Sequence, residues 1–252
     1  MTRTPQSILI TGASSGLGEA LALAYAAPGI TLFLSGRDPA RLAAVGQACR
    51  DKGADTHLAA LDVGDRAAMD RWVSASDDTR PLDLVIANAG LGGNDDPPEM
   101  ARAIWRTNLD GVINTVEPAL ARMRPRKSGQ IALMSSLASF IGVAGASAYC
   151  GSKAAVRVWG EGLRAALKKE GIAVSVICPG FVTTRMTENN RFPMPFLMDA
   201  PRAAHIMVAG LAAGKSPILY PWRLYALIWL GLILPSSWRE GLMSRFPQKD
   251  NA

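Results

Sequence analysis

At 252 residues, 49% of them hydrophobic, the chain can bury one sizeable core and is too apolar for a disordered segment. Its three cysteines, Cys49, Cys150 and Cys178, form no CxxC pair, and it has only two histidines; this argues against a thiol or imidazole metal site and against a Ser-His-Asp triad. The formal net charge of +6 is scattered except at Arg122-Met-Arg-Pro-Arg-Lys127, which lacks interleaved aromatics and reads as a solvated loop, so no nucleic-acid partner is expected.

The first predicted strand is the apolar run Ile8-Leu9-Ile10, suited to burial on both faces of a parallel sheet. No signal-peptide pattern precedes it, so the expected location is cytoplasmic, with reduced thiols. A turn carrying Gly12, Gly16 and Gly18 follows, then a helical pattern from Leu17 to Ala27. Strand, glycine turn and helix N-terminus together suit an anion, because the backbone can approach it closely and unpaired N–H groups point at it.

The second strand, Thr31 to Ser35, runs into Gly36-Arg37-Asp38. Nicotinamide-binding folds often place an acid at this point to bind the ribose 2′-hydroxyl; here glycine stands there and a guanidinium follows, which suits a 2′-phosphate. Arg37 therefore favours NADP over NAD, the alternative being a solvated loop arginine paired with Asp38. No basic residue precedes Gly16 to provide a second positive contact.

An alanine-rich helix is expected from Pro39 to Lys52 and a third strand from Thr56 to Leu61, ending in Asp62-Val63. Asp65 is a candidate N-cap for a helix to Ser76. The fourth strand, Leu82 to Ala87, leads into Asn88-Ala89-Gly90, where an Asn can bridge neighbouring backbone groups. Beyond the loop Leu91 to Pro98, a long helix from Glu99 to Met123 contains Asn108-Leu-Asp-Gly111. The fifth strand, Gln130 to Met134, ends in Ser135-Ser136, and Tyr149-Cys-Gly-Ser-Lys153 opens a helix running to about Glu170. A sixth strand, Ile172 to Cys178, ends in Pro179-Gly180-Phe-Val182-Thr-Thr184. Strands alternating with helices give a parallel sheet covered on both sides.

Tyr149 and Lys153 lie four residues apart and so share one helix face. A free tyrosine, with a pKa near ~10, exchanges protons poorly at neutral pH; a nearby ammonium would lower that value. Y-x-x-x-K alone is weak, since it occurs by chance in many helices. In this chain T-G-x-x-x-G-x-G, N-A-G, N-x-x-G, S-S, Y-x-x-x-K and P-G-x-V-x-T occur in order, each at its proper place in the strand-helix alternation. Over roughly residues 6 to 222 the sequence resembles the short-chain dehydrogenases/reductases.

That resemblance implies an α/β, Rossmann-like doubly wound parallel sheet of strand order 3-2-1-4-5-6-7. It implies a catalytic set of Asn108, Ser136, Tyr149 and Lys153, with Asn108 bending its helix and helping to hold a water, and Lys153 bonding the nicotinamide ribose. Ser136 is preferred to Ser135, which should point to the other face of the strand. Cofactor contacts are implied for Gly12, Ser14, Ser15, Gly16, Leu17 and Gly18 in the turn. They are implied also for Arg37, Asp62 and Val63, for Asn88, Ala89 and Gly90, and for Pro179, Gly180, Val182 and Thr184, besides Tyr149 and Lys153. Gly151 departs from the alanine common in relatives, as does Ala87 from a common asparagine.

The expected function is NADP(H)-dependent interconversion of a carbonyl and a secondary alcohol, probed by the residues just named. The rival from another class is an NADP-binding sensor or scaffold without turnover, which would have no need of a proton donor. A sugar-nucleotide epimerase is a second rival, for which the chain looks too short. Residues Thr187 to Asp199, with Phe192-Pro-Met-Pro-Phe-Leu-Met198, should form a flap over the substrate pocket, where Phe and Met suit an apolar substrate or, equally, packing against the sheet. A homodimer or homotetramer is the family's habit, through its long fourth and fifth helices.

The domain is expected over residues 1–222, with 223–252 as an apolar C-terminal extension. Leu224 to Leu234 is uninterruptedly apolar but short of the ~20 residues a bilayer span needs. It could pack on the same domain as a core helix or as a lid on an apolar pocket, on a partner subunit, or on a membrane surface, where Trp222, Tyr225, Trp229 and Trp238 beside Arg223, Arg239 and Arg245 are favoured types.

Overall fold

The computed structural model describes residues 4–93, 98–188, 190 and 193–234. Asn94 to Pro97, Phe192 of the expected flap, and Trp238, Arg239 and Arg245 fall outside these residues.

Seven parallel strands form one sheet in the order β3-β2-β1-β4-β5-β6-β7, the order expected from the resemblance. They are β1 (Ser7–Thr11), β2 (Thr31–Gly36), β3 (Asp55–Ala60), β4 (Leu84–Ala87), β5 (Gly129–Met134), β6 (Ile172–Pro179) and β7 (Ile218–Tyr220). The central strand β1 is buried throughout, and its register sets Ile8 opposite both Leu32 and Leu84. Alternate residues then feed two cores. Ile8 and Ile10 pack with the helices α1 (Gly16–Tyr25), α2 (Pro39–Asp51) and α7 (Ala200–Ala212). Leu9, Phe33 and Val85 pack on the opposite face with α3 (Arg66–Thr79), α5 (Gly111–Arg126) and α6 (Ser147–Leu167). Burial on both faces explains why the strands read as apolar runs rather than alternations.

The expected long helix from Glu99 is broken. It consists of α4 (Pro98–Trp105), a π-helical turn at Arg106–Asp110 and α5. The π turn sets Asn108 wholly inside, at 0% exposure. Immediately after it, a Cβ on Gly111 would collide with the Val63 side chain, so glycine lets α5 lie close to the end of β3.

The basic cluster Arg122–Lys127 is not a solvated loop. It closes the last turns of α5, and its arginines are paired: Arg122 with Asp78 at 2.9 Å, Arg124 with Glu170 at 3.0 Å and Arg126 with the nearly buried Asp77 at 2.8 Å. Two prolines inside α5, Pro118 and Pro125, had disguised the helix end. Asp65 caps α3 as expected, accepting from Ala68 N at 3.0 Å.

The last helix, α8 (Trp222–Ile233), is held by β7 and the loop after β6. Leu224, Tyr225 and Ile228 pack on Leu137, Val176 and Cys178. Gly180 is the seat for this contact: a Cβ there would meet Pro221 Cδ at 2.8 Å and Leu224 Cδ2 at 2.9 Å. Among the described residues no helix is long and apolar enough to cross a membrane.

Candidate active site

At the carboxyl ends of the strands lies a cavity of about 980 Å³. It collects every expected site residue except Gly18 and Asn108, which stand directly behind its wall.

The glycine turn is held from below by β4. Asn88 Nδ2 donates to Thr11 O at 2.9 Å and to Gly12 O at 3.3 Å, while Thr11 Oγ1 accepts the backbone N–H of Asn88 at 3.0 Å and of Ala89 at 3.1 Å. This clamp leaves no room for side chains on the turn. With φ at +66°, Gly12 sits so that a Cβ would be 2.7 Å from Ala89 Cα; a Cβ on Gly18 would be 2.6 Å from Asn88 Nδ2 and would strike the Gly12 carbonyl. Gly18 is therefore a packing glycine, and Gly16, whose Cβ would face Thr184 Cγ2 at 3.2 Å, lies on the cavity side. Ser15, at the N-cap of α1, makes no side-chain cap, so the first N–H groups of α1 have no capping oxygen there. A narrow glycine cradle over an uncapped helix N-terminus fits the pyrophosphate of a dinucleotide.

At one end of the cavity, Gly36 meets Ser14: a Cβ at 36 would be 2.9 Å from Ser14 Oγ, so an acidic side chain has no space. Arg37 is exposed at this end and does not pair with Asp38. Asp38 instead caps α2, accepting from Arg41 N at 3.0 Å, and pairs with the Arg41 guanidinium at 3.0 Å. Arg41 lines the same end, so a second guanidinium is present, one helical turn beyond Arg37, where the sequence reading looked only before Gly16. Asp62 accepts from Gly64 N at 2.9 Å and pairs with Arg106 at 3.4 Å beside Val63.

Further in, β5 presents two serines to opposite sides. Ser135 Oγ is buried and donates to Lys153 O at 2.7 Å. Ser136 Oγ accepts from Ala138 N at 3.1 Å, lies 3.5 Å from Pro179 O and is hydrogen-bonded to the Tyr149 hydroxyl. Lys153 Nζ donates to Met134 O at 2.8 Å and stands 5.9 Å from the centre of the Tyr149 ring. Burial pushes the Tyr149 pKa up, with the Ser136 hydrogen bond opposing it, and burial pushes Lys153 down to about 8. In the free protein burial outweighs the lysine at the tyrosine: desolvation holds Tyr149 protonated, while Lys153, with a pKa of about 8, is still mainly an ammonium at neutral pH and is turned to the Met134 carbonyl.

Asn108 has both amide hydrogens committed, to Leu91 O at 2.9 Å and Ser152 Oγ at 3.1 Å, and its Oδ1 accepts from Leu91 N at 2.7 Å. Its side chain ties the loop after β4 to α6. Gly151, the departure noted in sequence, lies under Trp105: a Cβ there would be 3.0 Å from the ring.

The other end of the cavity is apolar. Leu137, Phe140 and Ile141 follow Ser136, and Leu224, Leu227 and Ile228 come from α8. The expected flap contributes Pro193 and Pro195, with Met186 just before it. The apolar run of α8 was visible, but nothing local in it says what it covers.

Fold, cradle and Ser-Tyr-Lys constellation define a nicotinamide-dinucleotide-dependent oxidoreductase. Residues 6–194 match the short chain dehydrogenase family. Over 236 residues, 92% of this chain and 93% of the other, the chain is 38% identical to an uncharacterised oxidoreductase of Myxococcus xanthus (strain DK1622). It is 34% identical over 202 residues to a ketoacyl reductase, HetN, of Nostoc sp. (strain PCC 7120 / SAG 25.82 / UTEX 2576), covering 78% of this chain and 70% of that one. A short-chain type dehydrogenase/reductase from Mycobacterium marinum superposes with a TM-score of 0.75 at 25% identity, over 84% of this chain and 91% of the other. The chain belongs to the short-chain dehydrogenase/reductase family and is an NAD(P)-dependent oxidoreductase.

Proposed function

We propose that the protein reduces an apolar ketone to a secondary alcohol with NADPH. The carrying observation is the Ser136–Tyr149 hydrogen bond over Lys153, beside the apolar end of the cavity formed by Leu137, Phe140, Ile141 and α8. The nicotinamide, when bound, supplies the hydride. Ser136 Oγ holds the substrate oxygen and Tyr149 gives its phenolic proton to that oxygen as the alcohol forms. A raised Tyr149 pKa keeps the proton in place through the neutral range. Lys153 stabilises the resulting phenolate, which regains a proton from solvent, and Asn108 acts as a positioning residue that fixes the loop after β4 against α6.

The reading of NADPH rests on Arg37 and Arg41 together and on the lack of space for an acid at residue 36. The ketoacyl reductase among the relatives supports the reductive direction for a carbonyl on an acyl chain. Cys49, Cys150 and Cys178 are buried thiols in no disulfide, as suits a cytoplasmic enzyme. Pairing of copies through α4 and α6, where Met100, Trp105 and Val158 are exposed, completes it as a homo-oligomer.

The test is cofactor oxidation with a panel of ketones of increasing chain length, run with NADPH and with NADH. NADPH is expected to be preferred, and Arg37→Ala to narrow the preference by about one to two decades, the worth of a charge-assisted hydrogen bond. Equal use of both cofactors by the unaltered protein would overturn the NADPH assignment. No turnover with any ketone would favour a binding protein without chemistry.

A further inference from the structure

We propose that α8 and the flap form a docking face for an anionic lipid surface, through which an apolar substrate passes into the cavity. Among the described residues, every exposed large apolar side chain lies on these two segments or, as Met186 and Leu234, directly beside them, except Met100, Trp105 and Val158, which lie on α4 and α6. The flap exposes Phe196 and Leu197, with Met186 just before it, and α8 exposes Trp222 at 70%, Trp229 at 56%, Leu230 at 60% and Ile233 at 62%.

The two sides of α8 do different things. Leu224, Ile228 and Leu232 turn inward at helical spacing and line the cavity, while Trp229, Leu230 and Ile233 turn outward and line nothing. A helix of 12 residues, about 18 Å long, is too short to span a bilayer but long enough to lie in its surface. An apolar helix resting on a protein needs a second apolar phase on its other side.

Charge and continuity identify that phase. Arg223 stacks its guanidinium on Trp222 at 5.7 Å, and Arg185 stands just before the flap at the cavity wall; neither has an acid partner among the described residues. Exposed cations rimming an apolar face match anionic headgroups over acyl chains, and Trp is enriched at that depth. The net charge of +6 points the same way. The exposed apolar residues left over, Met100, Trp105 and Val158, lie on α4 and α6 and not on α8 or the flap. Leu227 joins the faces, since it lines the cavity and is 57% exposed. The passage of substrate rests on the ketone-reductase reading; the docking does not.

The experiment is flotation of the full chain with vesicles of phosphatidylcholine, with and without phosphatidylglycerol. The unaltered protein is expected to float with the anionic vesicles. The double variant Trp229→Glu, Leu230→Glu, which alters no residue lining the cavity, should lower the bound fraction by at least about tenfold, and Arg223→Glu by roughly fivefold on anionic vesicles only. Turnover of a short water-soluble ketone should be unchanged in the double variant, while turnover of a long-chain ketone embedded in the vesicles should fall. Flotation that the double variant leaves intact would overturn the proposal. So would a protein that stays in solution with both vesicle types, or one whose dimer the double variant splits, for then a second copy covers α8. Absence of all ketone turnover with flotation intact would remove the reductase reading and leave the docking face standing.

Discussion

The two ends of the cavity are built from different materials. The glycine turn after β1 is held by backbone groups: Thr11, Asn88 and the carbonyl of Gly12 bond one another, and a single added carbon on Gly12 or Gly18 has nowhere to go. The α8 end is built from side chains that touch by apolar surface, with the T-shaped contact of Phe140 on Tyr225 at 5.2 Å as its most specific feature. A site made of backbone geometry tolerates few sequences and binds one shape. A site made of apolar surface tolerates many sequences and can change its substrate without disturbing the other end.

The largest expected effect lies where the two ends meet. Replacing Tyr149 by Phe should cost roughly 10²–10⁴ in turnover, while dinucleotide binding, measured by fluorescence titration, changes little. If turnover survives the replacement, the proton comes from elsewhere and the meeting point is wrongly placed.

Lys153 tests how dry that meeting point is. Its folded pKa, about 8, lies below the ordinary value of 10.5, so the unfolded chain binds more protons between the two. Its contribution to stability is therefore flat below pH 8 and rises with pH across that window. Cys49 and Cys178, pushed up to about 11 by burial, act with the opposite sign above pH 9, so the raw profile mixes the three. The clean measurement is the stability of the unaltered protein minus that of Lys153→Met, followed by chemical denaturation. This difference should climb by about 2–3 kcal/mol at most between pH 8 and 10. A flat difference would mean that water reaches the ammonium.

How legible each end was in the sequence follows from the same contrast. The turn and the strand ends were readable because steric exclusion forces glycine and short polar residues at fixed spacings, and such spacings survive as motifs. Asn108 carried a motif too, but its bonds to Leu91 and Ser152 are tertiary and could not be read from neighbours in the chain. Arg41 was missed because a helical turn separates it from Arg37. β7 and α7 were not located, although Asp199, which accepts from Arg202 N at 2.7 Å, followed by Ala200-Pro201 is a helix-start signal. The direction in which α8 faces was not legible at all, since a helix apolar on every side has no periodicity to read.

Gly18→Ala would probe the rigid end directly. Alanine is the better helix former, by up to ~1 kcal/mol, yet its methyl must push against Asn88 and the Gly12 carbonyl. A net loss of about 1–2 kcal/mol is expected in denaturant unfolding, together with weaker dinucleotide binding as the turn shifts. Unchanged stability would show that the turn yields, and the contrast between a stiff and a soft end would lose its basis.

The smallest effect is expected on the outer side of α8, and its smallness is informative. Leu224 is wedged against Gly180 and the Leu137 group, so Leu224→Ala removes packed surface and should cost about 1–2 kcal/mol. Leu230 is on the same helix, apolar and of the same size, but 60% of its surface meets solvent. Leu230→Ala should therefore change the unfolding free energy in dilute solution by no more than about 0.5 kcal/mol. Equal losses for the two would mean that Leu230 is covered in solution by another copy or another part of the chain. A loss at Leu224 alone leaves the outer face of α8 as surface that contributes nothing to the fold, which is the condition for it to be available to a lipid interface.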